Sequence, residues 1–231
     1  MSNKDFIGIL RFTSETYANE LIAGQVYFGA AENYRHREDG NYMPGITDFN
    51  ESCIFSYRSD RDSEPFILEF GIPNSDGTIP EVLIPIKTVT KFDFKKGSND
   101  YWLSCWYSLF IKNDNLEKSI EQAQKEINDM RHEFGVVPVF IFRDDILKLV
   151  DLLKDKVDIR YGFVKYTSND LECDVFTKRL NFNYQREYRF AIAGCPSRSK
   201  ENKFVDLRGK ADGLIKKINR LMIKDGEIFY M

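Results

Sequence analysis

The sequence predicts an α+β fold, a mixed or antiparallel sheet core with flanking helices. Short β-branched and aromatic runs recur along the chain, helical periodicity is confined to a few segments, and turn clusters separate the two kinds. Of the 231 residues, 42% are hydrophobic and 14% aromatic, enough for a packed core without covalent staples. No repeat, low-complexity tract or Pro/Ser-rich linker divides the chain, so residues 1–231 read as a single domain with a helical insertion around 113–155.

The run DFIGILRF (5–12) predicts a first strand. Thr13-Ser14-Glu15 then offers a capped start for a helix that Gly24 closes. Gln25 to Phe28 reads as a second strand and Ala31 to Arg37 as a short helix. The polar segment EDGNYMPGITDFNE that follows reads as a long loop flanking a site. From Ser52 to Phe110 the runs CIFSYR, PFILEF, EVLIPIKTVTKFDF and YWLSCWYSLF predict a sheet of several strands. LEKSIEQAQKEINDMRHEF is the clearest helix, with Leu116, Ile120, Ala123, Ile127 and Met130 at three- and four-residue steps. Val136 to Phe142 is a strand, RDDILKLVDLLKD a helix and VDIRYGFVKYTS a strand. REYRFAIAG and KFVDLR continue as strands, and ADGLIKKINRL reads as a short helix.

Charge and residue scarcity exclude several classes of function. Lys and Arg total 33 against 36 Asp and Glu, a net charge of -3, so no overall field draws the protein to nucleic acid or an anionic membrane. A nucleic-acid contact would need a local groove, for which Arg35, Arg37, Lys178 and Arg179 are candidates. Cys53, Cys105, Cys173 and Cys195 form no CxxC pair, the opening MSNKDFIGIL has no long apolar core, and no run reaches membrane-spanning length. These features lead us to expect a cytoplasmic protein without membrane contact. With only His36 and His132, neither a histidine-rich metal centre nor a Ser/His/Asp or Cys/His hydrolase site is expected.

Polar residues interrupt three apolar strands: Arg11 in the first, Ser104 within YWLSCW, and Gln185-Arg186-Glu187 entering REYRFAI. In type and order these resemble the Arg-Ser-Glu signature of bacterial ADP-ribosyltransferase toxins. The stretch ILRFTSETYANELIAGQVYF also looks like the opening of ADP-ribosyltransferase-like folds. This chain departs from the toxin pattern in reading Ser104-Cys105-Trp106 instead of Ser-Thr-Ser. A second resemblance is to an uncharacterised family of bacterial and phage proteins often found near defence genes. It rests on LIAGQVYFGAAENYRHREDGNYMPGITDFNE and on Glu187-Tyr188-Arg189.

The first resemblance implies NAD as substrate and a macromolecular acceptor, RNA, DNA or protein. The setting would be a toxin–antitoxin or anti-phage system with an antitoxin or inhibitor partner. Glu187, Gln185 and Arg11 are the implied catalytic residues. Arg11, Thr13, Tyr27, Tyr34 and Ser104 are the implied cofactor-binding residues, and no metal is implied. The chemistry suits these residue types. Cleaving the nicotinamide–ribose bond develops an oxocarbenium-like cation that a carboxylate stabilises, and an arginine clamps a diphosphate. Gln185, two residues before Glu187, would share its strand face and orient the nucleophile. Tyr27, Tyr34 and Trp106 could stack on flat rings, although core or rim packing is the simpler reading of Tyr27 and Trp106. Cys105 reads as a small core residue. On this reading the strands bearing Arg11, Ser104 and Glu187 converge on one cleft. Two other classes stay open: a magnesium-dependent nuclease using Asp48, Glu51 and Glu187, and a non-catalytic binding or immunity module.

Overall fold

A computed structural model describes residues 5–35, 48, 51–53, 55–60, 63–71, 74–78, 82–91, 100–169, 172–218, 221–224 and 227–230. The first half holds β1 (Phe6–Thr13), α1 (Glu15–Ile22), β2 (Gln25–Ala30), α2 (Glu32–Arg35), β3 (Phe55–Arg58), β4 (Ile67–Phe70), β5 (Val82–Pro85), β6 (Thr88–Lys91) and β7 (Asp100–Phe110). Next come α3 (Leu116–Phe134), β8 (Val137–Phe142), α4 (Arg143–Lys154), β9 (Ile159–Phe163), β10 (Lys165–Thr167), β11 (Thr177–Arg179) and β12 (Glu187–Cys195). β13 (Lys203–Asp206), β14 (Lys216–Lys217), β15 (Leu221–Lys224) and β16 (Glu227–Tyr230) complete the chain.

The eight-stranded main sheet is built around β7, and its described pairs are antiparallel. One edge of β7 pairs with β12, which carries β9 beyond it. The other edge is shared. β1 pairs where Leu10 meets Tyr107 and Phe6 meets Phe110, while β2 pairs where Gly29 meets Leu103 and Ala30 meets Trp102. Ser104, Cys105 and Trp106 therefore lie between the two partners, and the sheet splits there. Outside β2 lies β13, and outside β1 lie β8 and β14.

Helices cover both faces. On one face Ile9, Phe28, Trp106, Val139 and Phe190 pack against Ala18 and Leu21 of α1 and Leu149 and Leu153 of α4. On the other, Leu10, Phe12, Tyr107 and Phe140 pack against Ala123 and Met130 of α3. This is an α+β architecture, and no helix among the described residues is long and apolar enough to cross a membrane.

Several sequence expectations change. Among the described residues, β7 alone of the strands expected between Ser52 and Phe110 joins the main sheet, while β3 pairs with β6 and β4 with β5. β8, between the two long helices, is an integral strand beside β1. VDIRYGFVKYTS breaks at Val164, whose N–H turns to the Glu187 carbonyl, so β9 and β10 belong to different sheets. The helix expected in ADGLIKKINRL is a run of turns leading into β14, because Gly213 sits at φ 74° and breaks helical continuity. Apart from Asp48 and Glu51, the long polar loop lies outside the described residues.

Candidate functional site

The split opens into a cavity of about 470 Å³ that reaches both faces of the sheet. Directly opposed residues on neighbouring strands point the same way. Arg11 opposes Val139 and Ser104 opposes Phe190, so both point to the face covered by α1 and α4. Glu187 opposes Tyr107 and points to the face covered by α3. Strand alternation thus sets Glu187 on the opposite face from Arg11 and Ser104, whereas the sequence reading brought all three to border one cleft. The gap between β1 and β2 lets Arg11 and Glu187 line the same cavity nonetheless.

Of the residues implicated by sequence, Arg11, Thr13, Tyr27, Tyr34, Gln185 and Glu187 all border this cavity. Ser104 is fully buried behind it. Its hydroxyl accepts from Arg11 Nη1 at 2.9 Å and from Trp106 Nε1 at 3.1 Å. The Arg11 guanidinium carbon lies 5.7 Å from the Tyr27 ring centre and 5.9 Å from that of Trp106. No carboxylate among the described residues pairs with Arg11. A half-buried guanidinium facing a cavity without a counter-charge is a site for an anion. Trp106 both packs in the core and borders the cavity.

The opposite wall is a buried network. Glu187 accepts from Lys178 Nζ at 2.7 Å through one oxygen and from Arg189 Nη2 at 2.6 Å through the other. Arg189 Nη1 also donates to Glu51 at 2.7 Å, and Lys178 Nζ donates to Gln185 Oε1 at 3.0 Å and lies 3.6 Å from Glu51. Two carboxylates and two cations cancel, so among the described residues no carboxylate is left to balance Arg11 in the cavity. Burial favours the neutral form of Glu187, but Arg189 and Lys178 overcome it and pull the carboxyl down to about 2. Glu51 is likewise lowered against the burial penalty by Arg189 and Lys178. Cys105, read from the sequence as a core residue, borders the cavity instead, and burial pushes its thiol up to about 12.

Gln185 reaches the cavity by a route that strand periodicity does not describe. It ends a 3₁₀ turn (Leu180–Gln185), and Arg186 adopts a left-handed backbone at φ 40° before β12 begins at Glu187. Arg186 is tied to Glu126 of α3 at 2.9 Å, and Tyr107 donates its hydroxyl proton to the same carboxylate.

The basic-groove assignment needs correction. Arg35 is buried and ion-paired with Asp100, Lys178 belongs to the buried network, and Arg179 pairs with Asp48 at 2.9 Å. Arg37 lies outside the described residues. The three carboxylates weighed for a magnesium site, Asp48, Glu51 and Glu187, each face a cation at ion-pair distance, so a divalent ion would have to displace built-in partners.

Sequence reasoning did not identify Lys178 and Arg189 as the partners of Glu187. The E-x-R step carries half of that signal, since residues two apart on a strand share a face. Lys178 comes from a separate short strand that no periodicity links to β12. It also missed Tyr166, whose hydroxyl accepts from the Glu187 N–H at 2.8 Å, and Met130 and Phe134 of α3 at the cavity wall. No family model, curated protein or solved structure matches the chain.

Proposed function

We propose that the protein is an NAD-dependent ADP-ribosyltransferase effector that transfers ADP-ribose to a cellular macromolecule, RNA, DNA or protein. In this reading it acts in a toxin–antitoxin or anti-phage setting and is restrained by an antitoxin or inhibitor. The observation that carries the reading is one cavity bordered by Arg11, which no carboxylate among the described residues pairs, and by a buried ionised glutamate, Glu187.

In this reading the NAD diphosphate lies against Arg11, which Ser104 holds, and the nicotinamide ribose reaches Glu187. Each carboxylate oxygen of Glu187 accepts one hydrogen bond from the network. An ionised carboxylate has about four acceptor positions, so capacity remains for a ribose hydroxyl. Lys178 and Arg189 keep the group ionised, and its charge then faces the cation that grows at C1′. The N-glycosidic bond breaks, nicotinamide leaves with the bonding electrons, and the acceptor nucleophile adds at C1′ and loses its proton to water. Tyr27 and Tyr34 supply flat surfaces along the bound dinucleotide. Gln185 sits next to Glu187 on the acceptor side.

Incubation with NAD labelled in its adenosine half and a cell extract, followed by separation of protein from nucleic acid, tests this. Label retained by one macromolecular fraction supports transfer and identifies the acceptor class. Complete absence of macromolecular label contradicts it.

A further inference from the structure

Tyr27 belongs to a row of rings that leaves the cavity for the surface. Tyr17 of α1 lies 5.6 Å from Tyr27, and Phe204 of β13 lies 5.4 Å from it. Neither outer ring is buried by the fold: Tyr17 is 46% exposed and Phe204 47%. The interplanar angles, 42° and 61°, set the rings in an angled row, so the outer rings are not stacked face to face on Tyr27. Tyr17 and Tyr27 also line the cavity, and the Arg11 guanidinium sits over Tyr27. Exposed aromatic area running from a cation that no carboxylate among the described residues pairs is the arrangement that takes a flat base attached to a phosphate.

We infer that Tyr17, Tyr27 and Phe204 form a stacking surface for the adenine of a dinucleotide whose diphosphate is held at Arg11. The choice of adenine rests on the transfer reading above, which puts the nicotinamide ribose at Glu187. Topology supports the polarity. Glu187 is on β12 and Phe204 on β13, with β7 and β2 between them, three strand spacings or about 14 Å apart in the sheet. Arg11 borders the cavity together with Glu187 and lies 5.7 Å from the Tyr27 ring centre. An extended dinucleotide bridges the distance between the two ends, whereas a mononucleotide reaches one end only.

The test is titration calorimetry of the full chain with NAD, AMP and nicotinamide mononucleotide. Wild type binds all three. Phe204→Ala and Tyr17→Ala, both at half-exposed positions that the fold tolerates, each weaken NAD and AMP about tenfold, the scale of one lost base–aromatic stack. Both leave nicotinamide mononucleotide within about twofold. Equal weakening of all three probes, no weakening of any, or no AMP binding by wild type overturns the assignment. The two readings fail separately. An adenine-specific loss in a protein that releases no nicotinamide keeps the stacking surface and removes the transfer reading. Nicotinamide release with a KM for NAD unmoved by either substitution keeps the transfer reading and removes the stacking surface.

Discussion

Arg11 donates to the Ser104 hydroxyl at 2.9 Å across the stretch of β7 that neither β1 nor β2 covers. Ser104 thereby fixes a guanidinium at the mouth of the split and also accepts from Trp106. Ser104→Ala leaves the buried indole N–H without its acceptor and the guanidinium without its tether. We expect a stability loss of about 1–3 kcal/mol, read by thermal unfolding. Anionic nucleotides should bind about tenfold more weakly, read by calorimetry. Unchanged nucleotide affinity would show that Arg11 needs no tether.

The Glu187 network makes stability depend on acid. Its folded carboxyl lies at about 2 against an ordinary 4.5, so the stabilisation is complete above about 4.5 and is lost as pH falls toward 2. Glu51, also lowered, acts in the same direction. Denaturant midpoints measured across this window should fall steadily with acid. Lys178→Met removes one cation from the pair and should flatten that fall; a slope equal to wild type would remove Lys178 from the account.

Gly29 lies where a Cβ would come within 2.5 Å of the Tyr34 hydroxyl. Gly29→Ala therefore drives the Tyr34 ring from its place on the cavity wall. Nucleotide binding should weaken several-fold while far-ultraviolet circular dichroism stays native. Wild-type affinity in this variant would mean that the Tyr34 ring contributes nothing to the pocket.

Gly135, at φ 134°, has Thr13 backbone behind it, and a Cβ there would stand 2.7 Å from the Thr13 carbonyl oxygen. Neither the backbone angle nor the contact suits alanine. Gly135→Ala should destabilise by about 1–3 kcal/mol and shift Thr13, with thermal unfolding as the readout.

Much of the framework was legible because β1, β2, β7, α3, α4 and β12 carry strong period-2 or period-3.6 patterns in their own residues. The site was legible in its membership and less so in its geometry. Alternation along β12 and β1 already implies that Glu187 and Arg11 point apart once the pairing register is known, and register is a long-range property that a local run does not encode. Gln185 shows a second limit. The left-handed residue Arg186 carries no glycine signal, so the break between the 3₁₀ turn and β12 was invisible. Lys178 shows a third, since an isolated lysine in sequence reads as a solvated charge until Glu51 and Glu187 are folded around it. The Glu187 side chain is buried between two cations, a setting that its place at the start of a strand does not announce.

That burial changes what Glu187→Gln should do. Replacing one member of a buried ion network costs on the order of 3 kcal/mol, although Glu51 still balances one cation, so the variant should stay folded with a lowered melting temperature. The direct test is nicotinamide release from NAD by wild type and Glu187→Gln, both assayed well below the variant's melting temperature. The account predicts measurable release by wild type and a loss of a hundredfold or more in the folded variant, the scale expected when one preorganised electrostatic partner is removed. Equal release by the two proteins, or none by wild type in the presence of acceptor extract, would contradict it.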